Sequence, residues 1–472
     1  MLFHEPLFLF LFFPVVLGLF LAVRRRAGGR AAVLLAASLF FYLWSEPLFV
    51  PVVLATCWID YAVSKRVVPP GRHHRRWWLA LGVAVNVGML AYYKYAGFAV
   101  DNLDAILVRL GLRPWHLGVV ALPIGVSFIV FEKITYLVDA FRGRSSPAPG
   151  FARYLLYVFL FPKLLAGPII KYHELEAQLL AGGRVRGNDL AVGFQRFMLG
   201  VVKKTILADT LAGGADTAFA LPPAQLGFAD AWWGVLLFTF QIYIDFSAYS
   251  DMAIGLARIF GFRLNENFNR PYISCSVTEF WRRWHISLSS WIREYLYVPL
   301  GGNRVPPARR TLNLWVCFLA SGLWHGAAWT FVAWGAYNGF FLVLERLFLL
   351  RVLDRMPRIA ANAATFLVTV LGWTVFRAAS AEQTGTFLSA MASPARLGLG
   401  AAWRTPPMAA AAVAAAAISF LPRVPGFDRA GGLVMASPGG RFAVELTVAV
   451  LFAFALAKTL ADPFKPFLYF RF

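Results

Sequence analysis

The segment Ser321–Trp329 (SGLWHGAAW) places one histidine, His325, in the middle of a long apolar run. Between Arg310 and Glu345, His325 is the only strongly ionisable side chain. Titratable groups are costly in hydrocarbon and usually serve a function there. Imidazole is also the side chain best suited to moving protons near neutral pH. The run therefore points to a base that works inside a membrane.

The surrounding charges indicate how deep His325 lies. The arginines before the run indicate the cytoplasmic side. A helix over residues 311–325 rises only about 20 Å against a hydrocarbon core of about 30 Å, so His325 is expected past the midplane. Gly322 and Gly326 flank it and would leave room for a substrate or a helix break. The alternative is a histidine that only hydrogen-bonds between helices.

A second segment, Glu279–Tyr295, combines aromatic, basic and hydroxyl side chains. Read as one continuous helix, it has an apolar and a polar face, which suits the membrane interface. The apolar face holds Trp281, Trp284, His285, Leu288, Trp291, Ile292 and Tyr295, and the polar face holds Arg282, Arg283, Ser287, Ser290, Arg293 and Glu294. One interpretation is that the arginines bind an anionic ligand, such as a nucleotide phosphate, while His285 lines a tunnel. The alternative is an ordinary interfacial helix with a packed histidine.

The end of another apolar segment, Gln241–Asp251 (QIYIDFSAYSD), carries two carboxylates and several hydroxyls that need partners or water. At about 100° per residue, Asp245 and Asp251 point in different directions, which argues against a paired acid and base. Two interpretations stay open. Asp245 contributes to substrate binding, or these polar residues fix local helix packing through hydrogen bonds.

The elements that position these residues are predicted to be membrane-spanning helices. Hydrophobic residues make up 59% of the chain and charged residues 15%, against roughly 25% charged residues in soluble proteins. Repeated apolar stretches are typical of a polytopic membrane protein. The net charge of +21 lies in short clusters between these stretches, which fits the positive-inside rule and attraction to anionic lipid. That distribution argues against nucleic-acid binding, and the three cysteines have no metal-ligand or disulfide spacing.

The predicted fold is all-α, with about eleven transmembrane helices plus short re-entrant or interfacial helices. It forms a single integral membrane domain over residues 1–472. A span ends at Arg142, and further apolar segments lie near 7–23, 31–44, 47–63, 77–97, 190–212, 229–249, 311–324, 326–344, 359–379, 406–421 and 441–461. Residues 161–171 are apolar but broken by two prolines and a glycine, which predicts a re-entrant or half-buried element.

Charge alternates between the first links, which sets the predicted orientation. The first link is rich in arginine, and the second is only Ser45-Glu46. The third link contains Lys65, Arg66, Arg72, Arg75 and Arg76. This alternation places residue 1 outside the cytoplasm.

Six short sequence blocks stand out along the chain. They are Phe280–Ser289 (FWRRWHISLS), Tyr297–Arg304 (YVPLGGNR), Leu323–Gly326 (LWHG), Leu122–Phe128 (LPIGVSF), Ala166–Ile169 (AGPI) and Asp245–Asp251 (DFSAYSD). Together these blocks resemble the membrane-bound O-acyltransferase (MBOAT) family. The resemblance extends over roughly residues 1–380. It is strongest to the bacterial branch that contains the membrane subunit of alginate O-acetylation and the teichoic-acid D-alanylation protein. Glu132-Lys133 departs from the uncharged residues expected there, either as a local ion pair or as the mark of a different subgroup.

The resemblance implies a ring of helices around a thin centre, with a tunnel that joins the two membrane faces. It implies that His325 is the family's catalytic histidine and His285 its second histidine. The implied donor is cytoplasmic acetyl-CoA, with no permanently bound cofactor. The acyl group would pass to an exported polysaccharide, with a periplasmic partner similar to SGNH hydrolases, at the bacterial inner membrane.

The sequence is thus interpreted as an O-acyltransferase that moves an acetyl group to a hydroxyl at or beyond the membrane. His325 is the predicted general base, and His285 positions the substrate or stabilises charge. The predicted substrate-binding residues are Arg282, Arg283 and Arg304 for the donor's phosphates, with Trp284, Trp324 and Asp245. Two alternatives stay open. One is D-alanyl transfer from a carrier protein, and the other is a proton-coupled transporter, although the sequence lacks the similar halves often seen in transporters.

Overall fold

A computed structural model of the chain describes residues 1–68, 74–118, 120–165, 167–395, 397–398, 405–461 and 466–468. Every regular element in these ranges is a helix, which confirms the all-α prediction. Arg72 and Ala166, which the sequence analysis used, lie outside the described residues.

The helices differ widely in length, from one turn to nine. They are α1 Phe13–Ala22, α2 Ala27–Ser45, α3 Val50–Val67, α4 Arg75–Leu90, α5 Ala96–Arg109, α6 Val126–Arg142, α7 Phe151–Phe159, α8 Phe161–Leu164, α9 Tyr172–Leu180, α10 Asp189–Val202, α11 Asp209–Phe219, α12 Phe228–Ile259, α13 Val277–Arg283, α14 Ile286–Ile292, α15 Pro307–His325, α16 Trp329–Leu344, α17 Leu350–Arg355, α18 Arg358–Arg377, α19 Ala381–Ala392, α20 Pro406–Phe420, α21 Phe427–Ala436 and α22 Pro438–Ala461. Turns of wider, π-helical geometry occur at Phe8–Phe12, Ala91–Tyr95, Lys203–Ala208, Arg293–Tyr297 and Glu345–Leu349.

Within the described ranges, three helices are long and apolar enough to cross a membrane, namely α2, α18 and α22. The pair Pro406–Arg423 and Phe427–Ala436 qualifies as one further span, bent by 100°. The predicted apolar segments all fall on helices, but the other helices are shorter, more charged or less apolar than these. The chain is therefore a helical membrane protein, and the number of eleven spans stays a prediction.

The helices group into two compact units, Met1–Phe194 with Ala253–Asn265, and Gln195–Met252 with Glu266–Phe472. In the first unit, α6 packs against α3 and α4. Gly125 and Gly143 bound α6 with φ angles of 76° and 70°. Glycine adopts this left-handed conformation without a steric penalty, so it can start and stop the helix sharply. The single domain over residues 1–472 stays a prediction.

Four of the charged side chains that the first unit buries form two ion pairs. Glu132 pairs with Lys163 of α8, and Lys133 Nζ lies 3.2 Å from Asp60 Oδ2. Buried charges need such partners because they have lost their hydration. The suggestion that Glu132 and Lys133 pair with each other is therefore wrong, since each binds a different helix. The described part of residues 161–171 is fully buried, which fits the predicted departure from a regular span.

In the second unit, α15 and α16 approach each other closely through glycines. A Cβ on Gly322 would lie 2.3 Å from the carbonyl oxygen of Phe331, and one on Gly335 would lie 2.4 Å from that of Phe318. Small residues allow backbones to come this close. Gly322 therefore allows the two helices to pack closely, and it does not leave the room for a substrate that was suggested from the sequence. The suggested helix break is confirmed, because α15 ends at His325 and Gly326 is extended.

The prediction of one continuous helix over Glu279–Tyr295 is wrong. The segment breaks between α13 and α14, where His285 adopts the left-handed conformation with φ 42° and ψ 55°. The N–H of Ile286 donates to the backbone carbonyl of Asn267 at 2.9 Å, not to a carbonyl of the preceding turn. A contact with another part of the chain thus overrides the local helical pattern.

Candidate active site

The N-terminus of α13 is fixed by a carboxylate from the end of α16. Glu345 Oε1 accepts a hydrogen bond from the N–H of Val277 at 2.5 Å. Glu345 Oε2 accepts from the N–H of Thr278 at 2.8 Å and from its hydroxyl at 2.6 Å. The first N–H groups of a helix have no partner within the helix and favour negative charge. This cap holds the short helix that carries Arg282.

Trp324 contacts both predicted histidines. Its ring centroid lies 5.9 Å from that of His285 and 5.0 Å from that of His325. The rings of Trp334 and Phe376 lie 5.1 Å and 5.3 Å from the His325 imidazole. Both imidazoles are buried. The fold thus brings three predicted site residues together and surrounds His325 with aromatic rings that limit its movement.

Trp284 lies in the aromatic core beside His285. It is 1% exposed, and its ring centroid lies 4.9 Å from Trp373, 5.1 Å from Phe268 and 5.6 Å from Phe280. These contacts give Trp284 a packing role at the junction of α13 and α14.

A cavity of about 770 Å³ opens in the second unit, and its described lining residues include three arginines, Arg282, Arg293 and Arg346. We call it the arginine cavity. Trp281 and Phe318 contribute to its apolar wall. Its volume lies within the roughly 300–1,000 Å³ typical of small-molecule sites. Guanidinium groups are well suited to bind phosphates, so the cavity fits a ligand with an anionic part and an apolar part.

The arginine cavity approaches both histidines without including them among its described lining residues. Cys317 and Ser321 line it, and they precede His325 by about two turns and one turn on the same face of α15. Ile286, the neighbour of His285, also lines it. The cavity therefore leads along α15 to within about one helical turn of His325, a rise of about 5.4 Å.

Arg346 is held by neutral groups at the edge of this cavity. Its Nη2 donates to Asn303 Oδ1 at 2.9 Å, and its Nη1 lies 3.5 Å from the hydroxyl of Tyr297. The Tyr297 hydroxyl also donates to Asn303 Oδ1 at 2.8 Å. Because neither of these partners is charged, the contacts orient the guanidinium without neutralising it.

The other two predicted arginines lie outside the cavity lining. Arg283 forms an ion pair with Glu279 at 2.8 Å and donates to the carbonyl oxygen of Asn269 at 3.2 Å. Arg304 is exposed and is not among the described residues that line the cavity. Of the three predicted phosphate ligands, the structure therefore places only Arg282 in the cavity.

The two aspartates of the Gln241–Asp251 segment have separate basic partners. Asp245 is buried and lies 3.0 Å from Lys204. Asp251 lies 2.9 Å from both Arg196 and Lys203. This separation agrees with the prediction that Asp245 and Asp251 do not act together as a paired acid and base. Asp245 thus has a structural ion pair, and it is not among the described residues that line the arginine cavity.

Two cavity arginines were not among the phosphate ligands predicted from the sequence. Arg293 lies on the polar face whose arginines were interpreted as binding an anion, so the pattern contained the signal for it. Arg346 comes 43 residues after its partner Asn303 and has no local signal that links it to the site.

Residues 40–380 match the family model of MBOAT, the membrane-bound O-acyltransferase family. The chain belongs to this family. It is therefore an O-acyltransferase, as the sequence predicted. The match includes both histidines and all three arginines of the cavity.

The chain is similar to relatives with three different named activities. The probable alginate O-acetylase AlgI of Azotobacter vinelandii is 39% identical over 100% of both chains. The peptidoglycan O-acetyltransferase of Helicobacter pylori is 35% identical over 83% of this chain and 80% of its own. The teichoic acid D-alanyltransferase of Bacillus subtilis is 25% identical over 48% of this chain and 59% of its own.

Proposed function

We propose that this membrane O-acyltransferase transfers an acetyl group from acetyl-CoA towards a hydroxyl of an exported polysaccharide such as alginate. The observation that carries the proposal is the arginine cavity, which leads along α15 to within about one helical turn of His325. The names of the Azotobacter and Helicobacter relatives support acetyl as the transferred group and a polysaccharide as the acceptor.

The donor suits the chemistry of the arginine cavity. Acetyl-CoA carries several phosphates at one end and a thioester on a long, largely uncharged arm at the other. Arg282, Arg293 and Arg346 would bind the phosphates through charge-assisted hydrogen bonds. The arm would extend along the wall formed by Cys317 and Ser321, with its thioester directed to His325.

His325 would act as the general base. As the acceptor oxygen attacks the carbonyl carbon of the thioester, its proton passes to the imidazole. The new C–O bond forms and the C–S bond breaks, and the imidazolium returns the proton to the leaving thiolate as CoA departs. Base catalysis of this kind contributes about 10²- to 10⁴-fold in rate. The rings of Trp324, Trp334 and Phe376 would keep the imidazole in position for it.

The proposal extends to location and partner. The charge alternation along the first links supports an inner-membrane protein with residue 1 on the periplasmic side. The immediate acceptor is then either the polysaccharide or a serine of a periplasmic partner similar to SGNH hydrolases. Such a serine would accept the acetyl group through the same step and pass it on.

The test is the variant His325→Ala, purified and reconstituted with labelled acetyl-CoA. We expect polymer acetylation to fall by at least about 10²-fold while the protein stays folded and inserted in the membrane. His116→Ala is the matched control, because the His116 side chain is 81% exposed. Acetylation at the wild-type rate in His325→Ala would refute the proposal.

A second candidate function is D-alanyl transfer, which the Bacillus relative favours. It would use the same base but a donor attached to a carrier protein. Purified protein offered acetyl-CoA in one reaction and a D-alanyl-loaded carrier in another separates the two. Turnover with the carrier alone would replace acetyl transfer as the function.

A further inference from the structure

Asn267 lies at the centre of the contacts around His285. It belongs to the segment between α12 and α13 and is 1% exposed. Its Oδ1 lies 3.2 Å from His285 Nδ1, 3.2 Å from the backbone nitrogen of Ser287 and 2.9 Å from Ser287 Oγ. Its Nδ2 donates to Ser250 Oγ at 3.2 Å, and its backbone carbonyl accepts from the N–H of Ile286 at 2.9 Å. One side chain and its carbonyl thus bind both sides of the helix break.

The backbone of Ser287 determines which way the Asn267 amide points. The two ends of an amide look alike to most methods, and their assignment has to come from hydrogen bonding. A peptide N–H can only donate, so the atom that faces it must be Oδ1. Nδ2 then faces Ser250 Oγ, which is able to accept. The amide orientation follows from these contacts alone.

This orientation fixes the position of the proton on His285, because Ser287 Oγ, a second polar contact of Nδ1 at 3.5 Å, already donates its hydrogen to Asn267 Oδ1 at 2.9 Å. An amide oxygen has no hydrogen, so its contact with Nδ1 is a hydrogen bond only if Nδ1 donates. In a neutral imidazole the other nitrogen, Nε2, then keeps its lone pair. A carboxylate in this position would favour the protonated, positively charged ring. The Asn267 amide is uncharged, so it selects the tautomer of the neutral ring instead.

We propose that Asn267 is a positioning residue for acyl transfer. It holds His285 in the Nδ1–H tautomer, so that Nε2 accepts a hydrogen bond from a substrate group other than the hydroxyl whose proton passes to His325. The inference rests on the proposed function for the role of His285. It also decides between the two roles predicted for that residue, because a lone pair on Nε2 can position a hydrogen-bond donor of the substrate but cannot donate to an oxyanion.

The test compares Asn267→Asp with Asn267→Leu in the full-length protein. The aspartate keeps an acceptor opposite His285 Nδ1, whereas leucine removes it. In a catalytic triad, the wrong tautomer costs about 10⁴-fold in kcat. We therefore expect Asn267→Leu to lower kcat by at least about 10²-fold with little change in the KM for acetyl-CoA. Asn267→Asp should lower kcat less than Asn267→Leu, because it keeps the acceptor for Nδ1–H.

A spectroscopic measurement accompanies the kinetics. In protein labelled with ¹⁵N-histidine, a His285→Gln sample identifies the signals of His285. We expect wild-type His285 to show a protonated Nδ1 and an unprotonated Nε2, and Asn267→Leu to show a mixture of tautomers. This measurement needs no turnover, so it remains decisive if acyl transfer fails its own test in His325→Ala.

The matched control is Asn362→Leu. Asn362 is also a buried asparagine, and its Nδ2 donates to the carbonyl oxygens of Tyr272 and Ser274 at 2.8 Å each. We expect this variant to lose thermal stability while it keeps the wild-type signals of His285. A proton on Nε2 of wild-type His285, or an unchanged kcat in Asn267→Leu, would overturn the inference. If Asn267→Leu does not fold, the wild-type signals alone decide.

Discussion

Gly326→Ala is expected to disable the enzyme through a steric displacement next to His325. Gly326 has φ −163° and ψ 155°, an extended conformation that alanine also adopts, so the backbone imposes no cost. The added methyl group, however, would lie 2.0 Å from Cε2 and 2.2 Å from Cδ2 of Phe331. Non-bonded carbon atoms rest at about 3.5–4.0 Å, so the ring would have to retreat by about 1.5–2 Å.

That displacement would reach the proposed base through one further ring. The Phe331 ring centroid lies 5.1 Å from that of Phe376, which lies 5.3 Å from the His325 imidazole. Overpacking of this kind costs about 1–3 kcal/mol of stability. A misplacement of about 1 Å at a reacting group can cost about 10²-fold in rate. We therefore expect a lower thermal midpoint and a kcat reduced by about 10²-fold.

The assay is acetyl transfer by purified protein, with thermal unfolding measured on the same samples. Gly385→Ala is the matched control, because a Cβ there meets no heavy atom within 4 Å and the residue lies inside helix α19. Alanine should stabilise that helix by about 1 kcal/mol without changing turnover. Wild-type kcat and thermal midpoint in Gly326→Ala would refute the reasoning.

Two further predictions concern the buried charges and the arginine cavity. Lys163→Met leaves Glu132 without its ion-pair partner and should lower the free energy of unfolding by about 3–5 kcal/mol. Adding Glu132→Gln should restore most of that stability. Equal thermal midpoints for wild type and Lys163→Met would contradict this prediction. Arg346→Ala removes charge-assisted hydrogen bonds worth about 1.5–3 kcal/mol and should raise the KM for acetyl-CoA by about tenfold or more. Arg309→Ala is the control, because Arg309 is exposed and is not among the described residues that line the cavity. An unchanged KM in Arg346→Ala would exclude this arginine from donor binding.

Local pattern was enough to find the helices at the predicted apolar segments and the histidine at the end of α15. Apolar segments fold into helices because the backbone satisfies its own hydrogen bonds within the segment. His325 followed by Gly326 marked a helix end, and α15 does end at His325. The family also followed from short blocks, since each is contiguous in sequence.

The missed features depend on partners far away along the chain. Glu132 pairs with Lys163, which lies 31 residues further along the chain, and therefore does not pair with its neighbour Lys133. In the same way, Arg346 reaches the cavity only because α16 returns it beside Asn303. The sequence spacing of these residues does not indicate that they lie close together in the fold.

Sequence patterns and family blocks were sufficient to identify a helical membrane O-acyltransferase and to single out His325 and His285. How those histidines are held depends on contacts that form only in the folded chain. Asn267 forces a break where the helical pattern continues, because its side chain and carbonyl satisfy the polar groups that the break exposes. Such a contact joins residues 18 positions apart, and helical periodicity carries no information about it.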